Sequence, residues 1–425
     1  MINASIITIG DELLIGQTID TNSAYIAQKF NEIGIWVRRR LAVGDNREEI
    51  WNALAEEEKH SDIIILTGGL GPTADDITKP LLCEYFGGKL VVNEEVLAHV
   101  RYLFEKIYRR TGSILERNLK QAEVPDNCTV LRNDRGSAPG MWFEKVVNPK
   151  AINPVTFVSL PGVPHEMKGI VNAELIPRLL KRFSFPTIIH KTAVTMGQGE
   201  SFIAELIENF ESSLPPYIRL AYLPSYGMVK LRLTAFSDND PVIEKEMNAQ
   251  FETLKSLVKE YLVSDEDEPI EKVIGEILRQ KKKTVGTAES CTGGYIAHLL
   301  TSIAGSSDYF KGSVISYANE VKMNLLGVKE QTLITDGAVS EHTVRQMVKG
   351  AIDALNVDYA LATSGIMGPG GGTDTKPVGM VWIAVGNRQQ VIAKEFNFRF
   401  DRERNIRQTA NAALDMLRKF ILAND

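Results

Sequence analysis

The sequence predicts an α/β protein in which two α/β domains are joined by a small α+β module. Apolar strands alternate with helices of ~10–15 residues in the first 170 residues, and again after residue 270, which is typical of βαβ units and a parallel sheet. Between these regions the order of strands and helices changes. The 425 residues allow two or three domains of roughly 100–200 residues each. The expected boundaries are 1–170, 171–262 and 263–425.

The first domain is defined by four predicted strands and two predicted helices. The strands are Ser5–Ile9, Ile35–Val43, Ile63–Thr67 and Thr156–Leu160, and the helices are Asp20–Gly34 and Arg47–Lys59. Ligands of parallel sheets bind at the carboxyl ends of the strands. The segments GDELLIG, VGDN and TGGLGPTADD follow such ends. We therefore expect them to share one site.

The rest of the chain divides at the acidic segment SDEDEP (264–269), which we interpret as a linker. Before it, strands are expected at 188–195 and 228–236 and helices at 200–210 and 240–261. After it, the predicted strands are Thr284–Ala288, Ser313–Tyr317, Tyr359–Thr363, 378–385 and 390–400. The predicted helices are Pro269–Gln280, one from about 291, Asn319–Leu326, 340–355 and 402–421.

Composition excludes several classes of protein. The net charge of −6 lacks the electrostatic footprint of a nucleic-acid binder. Three cysteines without CxxC spacing indicate neither a disulfide framework nor a zinc site, and a reducing cytoplasm fits best. The amino-terminal segment MINASIITIGDELL does not have the pattern of a signal peptide, and no apolar run approaches the ~18–20 residues of a membrane span. We expect a cytoplasmic protein with no membrane or nucleic-acid partner.

The first candidate site is the glycine loop that follows Ile63–Thr67. Glycines let the backbone turn sharply, and successive N–H groups in such a turn cradle anions. The loop is not a Rossmann fingerprint, because residue 74 is alanine, and it is not a Walker loop, because no Lys-Ser/Thr follows. The expected ligand contacts here are Gly68, Gly69, Gly71 and Thr73.

Aspartates beside this loop predict a divalent metal. Asp75 and Asp76 open the next helix, and Asp11 and Asp45 follow other strands. Asp11, Asp45 and Asp76 together with a phosphate cradle suit a divalent cation that bridges a pyrophosphate. The structural alternative is that the aspartates cap helices and the glycines only make turns.

The second candidate site is the octet TAESCTGG (287–294), which opens a predicted helix. Glycine in a first helical turn costs about 1 kcal/mol of helix stability. Backbone N–H groups at the positive end of a helix form an oxyanion or phosphate site. Ser290 and Cys291 are competing nucleophiles. The octet residues expected to contact substrate are Thr292, Gly293 and Gly294.

Lys322 is the expected base of this site. It lies in the first turn of a helix for which Asn319 is the expected cap, and the helix dipole together with burial lowers a lysine pKa. Ser-Lys pairs are a known variant of the serine triad. Tyr317 is expected to relay or hold the proton. A cysteine nucleophile prefers a histidine partner, and none is evident, so Ser290 is favoured over Cys291.

A glycine-rich loop, SGIMGPGGGTDTKPVG (364–379), completes the second site. It holds six glycines and two prolines and indicates a loop wrapped around a ligand. The expected contacts are Ser364, Gly365, Gly368 and Gly370. Arg399, Arg402 and Arg407, near the last helix, are candidates for binding a phosphate. A solvated basic helix face is an equal alternative.

The first domain resembles the MoaB/MogA-like molybdopterin-binding fold, because GGLGPTADD matches its GG-x-G-P-x-x-x-D pattern with Asp76 in the acidic position. DTNS (20–23), NLKQAEVP (118–125), NDRGSAPG (133–140) and LPGVPHEM (160–167) are similar to the N-terminal domain of CinA (competence/damage-inducible protein A) proteins. The resemblance implies a three-layer ADP-ribose pyrophosphatase that uses a divalent metal. It also implies ligand contacts at Asn22, Lys120, Ser137 and His165.

The last domain resembles the CinA C-terminal domain, which also occurs alone as PncC-type nicotinamide-nucleotide amidase. AESCTGG, SYANEVK, GAVSEHTV (337–344) and SGIMGPGGG carry the resemblance. It implies hydrolysis of nicotinamide mononucleotide to nicotinate mononucleotide and ammonia without a cofactor. Two departures are Met367, where alanine is usual, and Phe400, where glycine usually precedes Asp-Arg. The first is expected to alter the pocket, and the second weakens the phosphate role of Arg402.

The middle module resembles the KH-like domain of the same family. Residues 171–260 lack the GxxG loop that clamps a nucleic-acid backbone, and they hold 10 Lys and Arg against 11 Asp and Glu. A spacer or dimerisation role is expected, in a homodimer. The whole chain is therefore interpreted as a bifunctional pyridine-nucleotide enzyme. The alternatives are a nucleotide-sensing competence regulator without turnover and a molybdopterin-type activity of the first domain.

Overall fold

A computed structural model describes residues 2–73, 76–108, 114–147, 154–237 and 240–424. The chain forms two compact units. One comprises Met1–Ile188 with Phe236–Asp240, and the other comprises Ile189–Ala235 with Pro241–Asp425. Asp75, expected beside the glycine loop, lies outside the described residues. No described helix combines the length and apolar character that crossing a bilayer requires.

The first unit is built on a six-stranded sheet with the order β2-β1-β3-β8-β7-β6. The strands from β2 to β8 in this order run parallel, and β7 and β6 are antiparallel additions at one edge. The strands of this unit are β1 (Asn3–Ile9), β2 (Trp36–Val43), β3 (Ile63–Thr67), β4 (Leu90–Val92), β5 (Glu123–Pro125), β6 (Thr129–Leu131), β7 (Gly140–Lys145) and β8 (Val155–Leu160). The pair β4 and β5 forms a separate two-stranded ribbon.

Helices cover both faces of this sheet because its central strands are apolar throughout. In β3, Ile63 and Ile65 enter one core cluster while Ile64 and Leu66 enter another, as the two-residue period of a strand requires. The helices are α1 (Asp11–Leu14), α2 (Thr21–Glu32), α3 (Arg47–Glu57), α4 (Thr78–Tyr85), α5 (Glu94–Tyr102), α6 (Glu116–Leu119), α7 (Pro164–Ile170) and α8 (Ile176–Arg182). A π-helical segment, Val171–Leu175, joins α7 to α8, so helical structure passes through the boundary expected at residue 170.

The second unit begins with a four-stranded sheet in the order β10-β11-β9-β12. Its strands are β9 (Thr187–Met196), β10 (Ile218–Ser225), β11 (Met228–Ser237) and β12 (Leu262–Ser264), and its helices are α9 (Glu200–Ser213) and α10 (Pro241–Leu257). Strand β10 was not predicted, because its buried pattern is weak and its last residues are exposed. The acidic segment after β12 is held by lysines, for example through Lys255 to Asp265 at 2.9 Å.

The same unit continues into a five-stranded sheet with the order β14-β13-β15-β16-β17. Strand β13 is parallel to both neighbours, and β16 and β17 are antiparallel. The strands are β13 (Val285–Glu289), β14 (Phe310–Ile315), β15 (Tyr359–Gly365), β16 (Met380–Gly386) and β17 (Val391–Asn397). The helices are α11 (Ile270–Lys281), α12 (Tyr295–Thr301), α13 (Asn319–Leu326), α14 (Glu330–Thr335), α15 (Glu341–Leu355) and α16 (Arg402–Ala423).

Two core clusters lie on opposite faces of this sheet. In β15, Tyr359 and Leu361 enter the first cluster, and Ala360 and Ala362 enter the second. The two α/β folds joined by an α+β module are therefore confirmed. The helix expected from about residue 291 begins later, at Tyr295, since residues 291–294 form a turn. This turn carries the second candidate site.

Candidate active sites

Ser290 lies at the carboxyl end of β13, the strand flanked by two parallel neighbours. Its N–H donates to the carbonyl of Thr363 on β15 (3.0 Å), and its own carbonyl accepts from the Gly293 N–H (3.2 Å). Gly293 and Gly294 have φ of 62° and 99°, a region that glycine enters without steric cost. The glycines of the octet are therefore needed to reverse the chain directly after the serine.

Lys322 reaches Ser290 from the first turn of α13. Its Nζ lies 3.1 Å from the Ser290 Oγ, and the lysine side chain is buried, with 1% of the residue exposed. Burial lowers the pKa of this ammonium from its ordinary value of 10.5. In the described part of the chain no carboxylate lies within ion-pair distance of the Nζ to oppose that shift.

Two backbone carbonyls orient the Lys322 amine. The Nζ donates to the carbonyls of Ser316 (2.7 Å) and Tyr317 (3.3 Å). A neutral amine has two hydrogens and one lone pair. When both hydrogens point at these carbonyls, the lone pair is directed at the Ser290 hydroxyl. The arrangement suits a base that removes the serine proton.

Cys291 is placed as a structural residue. Its side chain belongs to the apolar cluster between the sheet and α16, and only 6% of the residue is exposed. Burial raises the pKa of the thiol to about 12, and the negative charge of Glu289 adds to that shift. A thiol with so high a pKa holds almost no thiolate at neutral pH, so the geometry favours Ser290 as the nucleophile.

The sequence interpretation overlooked Glu289, which is fully buried beside Ser290. Its Oε2 accepts from the N–H groups of Gly294 (3.0 Å) and Ile296 (3.1 Å), and its Oε1 accepts from that of Ala297 (2.8 Å). The expectation that these first N–H groups of the helix stabilise an oxyanion is therefore corrected, because the carboxylate already occupies them. The signal for Glu289 was available in the sequence, since an acidic residue before a glycine turn often caps the following helix.

Thr292 belongs to the same network. Its hydroxyl donates to the Glu289 Oε2 (2.8 Å) and lies 2.8 Å from the hydroxyl of Thr363. Only 3% of Thr292 is exposed. The side chain therefore joins β13 to β15 rather than facing open space, and of the three octet residues expected to contact substrate it is Gly293 whose surroundings are open.

Two residues near Lys322 make contacts other than those expected from the sequence. Asn319 is the first residue of α13 and exposed, whereas Ala318 precedes the helix and no side chain caps it. The side chain of Tyr317 is largely exposed, and its hydroxyl accepts from the Arg402 Nη2 (3.1 Å). It is the backbone carbonyl of Tyr317, not its phenol, that contacts Lys322.

The glycine-rich loop and the start of α16 are joined through Arg402 and Asn405. The Arg402 Nη1 donates to the carbonyl of Gly368 (2.8 Å). Asn405, which is fully buried and was not predicted, donates to the carbonyls of Met367 (3.1 Å) and Phe400 (2.9 Å). The Arg402 guanidinium therefore contacts both the glycine-rich loop and Tyr317.

The remaining loop residues divide into packed and open positions. The Ser364 hydroxyl donates to the carbonyl of Ala338 (2.7 Å), and a Cβ on Gly365 would meet β16. A Cβ on Gly370 would meet nothing within 4 Å. The Met367 side chain packs into the apolar core. Of the glycines in this loop that were expected to contact substrate, Gly370 is the one with open space beside its Cα.

The other predicted site is a cleft of about 340 Å³ in the first unit. Six of the predicted residues line it together: Asp45, Gly68, Gly69, Gly71, Asp76 and Ser137. Gly68 and Gly69 have φ of 120° and 63°, and a Cβ on Gly68 would lie 2.2 Å from the Ile9 carbonyl. The close approach of two chains explains these glycines.

Asp76 holds the glycine loop in shape. Its Oδ1 accepts from the Gly71 N–H (2.7 Å), and its Oδ2 accepts from both the N–H (2.9 Å) and the hydroxyl of Thr73. Thr73 is thereby engaged with the loop itself. The Asp76 carboxylate braces the cradle, and both its oxygens have donors.

Asp11 and Asp45 form the pair that best fits a cation. Each accepts a hydrogen bond from the backbone N–H of the other, at 3.1 Å. Among the described residues no three His, Cys, Asp or Glu side chains form a metal-binding group. Mg²⁺ commonly takes one or two protein carboxylates together with the phosphates of its substrate. Asp45 lines the cleft and Asp11, which does not, is hydrogen-bonded to it, so this pair is the candidate for that donor set, whereas both oxygens of Asp76 already have loop donors.

Three other contacts that the resemblance implies, Asn22, Lys120 and His165, do not line the cleft themselves. Asn22 donates to the carbonyl of Gly162, which lines the cleft (2.7 Å). The Lys120 side chain is exposed and pairs with Glu116, and His165 is exposed. Among the lining residues the sequence interpretation missed are Glu12, Gln121 and Glu166. Burial raises the pKa of Glu166, a carboxyl to which Asn133 donates.

A buried lysine holds the backbone of Gln121, one of the residues that line this cleft. Lys79, in the first turn of α4, donates to the carbonyls of Lys120 (3.4 Å) and Gln121 (3.1 Å). Burial lowers its pKa to about 8.

A separate cavity of about 670 Å³ in the second unit, between the four-stranded sheet and α16, is lined by none of the predicted site residues.

Comparison with known protein families assigns each part of the chain. Residues 5–181 match the probable molybdopterin binding domain, residues 190–264 match the damage-inducible protein CinA KH domain, and residues 267–421 match the CinA C-terminal domain. The order of the three matches is the one the sequence resemblance implied.

Relatives match the chain over nearly its whole length. A CinA-like protein of Flavobacterium psychrophilum is 45% identical over 422 residues, covering 99% of both chains. A CinA-like protein of Cytophaga hutchinsonii is 46% identical, covering 98% of both. A crystal structure of the competence/damage inducible protein CihA from Agrobacterium tumefaciens is 40% identical, covering 35% of this chain and 92% of its own, with a TM-score of 0.35.

Proposed function

The chain belongs to the CinA family, and from that premise we propose that its last domain hydrolyses nicotinamide mononucleotide to nicotinate mononucleotide and ammonia. The observation that carries the proposal is the buried contact of 3.1 Å between the Lys322 Nζ and the Ser290 Oγ. A buried lysine with a lowered pKa beside a serine is the pairing that amide hydrolysis by a Ser-Lys mechanism needs. The substrate is taken from the family resemblance.

In this mechanism Lys322 takes the proton of Ser290, and the serine Oγ attacks the carboxamide carbon. The tetrahedral intermediate collapses when the C–N bond breaks, and the protonated Lys322 returns the proton to the departing ammonia. Water then attacks the acyl-serine ester, again with Lys322 as base, and nicotinate mononucleotide leaves. The carbonyls of Ser316 and Tyr317 hold the amine in place through both steps.

The phosphate of the substrate is assigned to Arg402. This side chain is exposed, and in the described part of the chain no carboxylate lies within ion-pair distance of it. It donates to the Tyr317 hydroxyl and the Gly368 carbonyl, so it stands between the strand end of β14 and the glycine-rich loop. A guanidinium in that place can bind phosphate bidentately.

The test is release of ammonia from nicotinamide mononucleotide by the purified full-length chain. We expect stoichiometric nicotinate mononucleotide, detected by chromatography, and no reaction from Ser290→Ala. The matched control is Ser302→Ala, on the helix that follows the site, which should react like the wild-type chain. Equal ammonia release by Ser290→Ala and the wild-type chain would contradict the proposal.

For the first domain we propose hydrolysis of the pyrophosphate of ADP-ribose to AMP and ribose 5-phosphate. The observation that favours this second activity is the cleft in which Gly68 and Gly69 lie beside carboxylates. A divalent cation bound by Asp11, Asp45 and the substrate phosphates would neutralise the pyrophosphate charge. AMP formation from ADP-ribose, with and without EDTA, tests the activity and its metal dependence separately.

Two rival functions give different results in the same assays. A nucleotide-sensing regulator would bind these nucleotides and release neither ammonia nor AMP. A molybdopterin-type enzyme would adenylylate molybdopterin and leave ADP-ribose intact. We also expect a homodimer, which light scattering of the full-length chain would measure.

A further inference from the structure

The buried carboxylate of Glu289 has a role that the Ser-Lys pair does not explain. Together its two oxygens accept five hydrogen bonds, from the Thr287 hydroxyl (3.2 Å), the Thr292 hydroxyl (2.8 Å) and the N–H groups of Gly294, Ile296 and Ala297. Glu289 is fully buried, and the donors include the first N–H groups of α12. Backbone N–H groups at a helix start and nearby hydroxyls are the donors that a buried carboxylate needs in order to satisfy both of its oxygens.

Four of these bonds, all except the one from Thr287 on the same strand, constrain the turn that carries Ser290. Glu289 precedes the serine on β13, and its donors at Ile296 and Ala297 lie on the far side of the turn. The carboxylate therefore ties the strand to the helix across the nucleophile. Thr292 adds a second link, because its hydroxyl joins Glu289 to Thr363 on β15.

The same network determines which N–H groups remain for the reaction. In the turn from Ser290 to Gly293, the N–H of Gly293 donates to the Ser290 carbonyl. Cys291 and Thr292 lie between these two residues, and their N–H groups donate to no carbonyl or carboxylate among the described residues. Two adjacent N–H groups in a turn form a small anion-binding concavity.

We propose that Glu289 is the positioning residue of the amidase site, and that by occupying the helix start it leaves the Cys291 and Thr292 N–H groups to bind the oxyanion formed at Ser290. The inference rests on the proposed amidase function. The N–H directly after a serine nucleophile is well placed for this purpose, since it moves with the serine. Glu289 itself does not touch the substrate.

The variant Glu289→Gln tests the proposal. A glutamine amide keeps one acceptor oxygen, but its NH₂ group faces donors that the second carboxylate oxygen accepted. We expect kcat to fall by about a hundredfold, the scale of losing one oxyanion donor, with KM changed less than about threefold. The pH midpoint of kcat should not move, because the burial and carbonyl contacts that govern Lys322 remain.

A second readout separates this inference from the choice of substrate. A fluorophosphonate reagent labels activated serines regardless of the natural substrate, and intact mass spectrometry follows the labelling of Ser290. If the wild-type chain is labelled but releases no ammonia from nicotinamide mononucleotide, the proposed function fails while the labelling still tests Glu289. We expect Glu289→Gln to be labelled at least tenfold more slowly, and Glu320→Gln, an exposed acidic residue in the first turn of α13, to be labelled normally.

Folding is controlled by circular dichroism and thermal unfolding of each variant. If Glu289→Gln does not fold, Thr292→Val is used, because it removes one donor to Glu289 and keeps the side-chain shape. The positioning role predicts slower labelling with an unchanged pH midpoint in that variant as well. Labelling at the wild-type rate by a folded variant, or a shift of the pH midpoint, would overturn the proposal.

Discussion

Replacement of Lys322 by methionine removes the base while keeping an apolar chain of similar length. The Nζ is 3.1 Å from the Ser290 Oγ and donates to two carbonyls, and 1% of the residue is exposed, so no water can take its place without rearrangement. Loss of one member of a nucleophile–base unit removes the covalent pathway. We expect kcat for deamidation of nicotinamide mononucleotide to fall by on the order of 10³-fold or more.

The pH dependence follows from the lowered pKa of Lys322. The reaction needs the neutral amine, so kcat should rise with pH through the folded-state pKa, which lies below 10.5. The unfolded chain holds the lysine proton to higher pH than the folded chain does. The contribution of Lys322 to the free energy of unfolding is therefore least favourable below the folded-state pKa. It becomes more favourable as the pH rises towards the pKa of this lysine in the unfolded chain. Lys322→Met should be no less stable than the wild-type chain at pH 7.

The assay is steady-state ammonia release between pH 6 and about 10, with thermal unfolding of each variant and Lys311→Met, an exposed lysine on β14, as the control. Ser290→Ala should lose as much activity as Lys322→Met, and the double variant should be little worse than either, because the two residues act as a unit. Retention of more than a tenth of wild-type kcat by a folded Lys322→Met would refute the reasoning.

Two further predictions concern the candidate sites, and a third concerns nucleic-acid binding. Cys291→Ala should keep most of the amidase activity and lose about 1–2 kcal/mol of stability, because a buried thiol is removed from the core; a dead Cys291→Ala beside an active Ser290→Ala would reverse the assignment. Asp76→Asn should reduce AMP formation from ADP-ribose more than tenfold, since it disturbs three bonds that brace the loop, and EDTA should abolish the reaction until Mg²⁺ is restored; full activity in EDTA would argue against the cation. The full-length chain should not bind DNA or RNA oligonucleotides specifically, and salt-sensitive micromolar binding in a fluorescence-anisotropy titration would contradict this.

The periodicity of apolar residues was sufficient to predict most of the fold. Strand β3 was predicted at the residues it occupies, because a short run of Ile and Leu that ends at a glycine turn is typical of a strand buried on both faces. Strand β10 was missed, since its side chains are partly exposed and their pattern depends on the strands it pairs with. Helix α12 begins after its predicted start because a turn with two left-handed glycines comes first.

The sequence by itself determined which residue types meet at each site, since glycine loops and polar residues after strands must converge at one edge of a parallel sheet. It placed Ser290 directly after a strand and Lys322 in the first turn of a helix. Only the tertiary structure decided that Lys322 is buried against the serine and that the Tyr317 hydroxyl turns toward Arg402. Both outcomes depend on contacts between segments far apart in the chain, which the local spacing of residues does not encode.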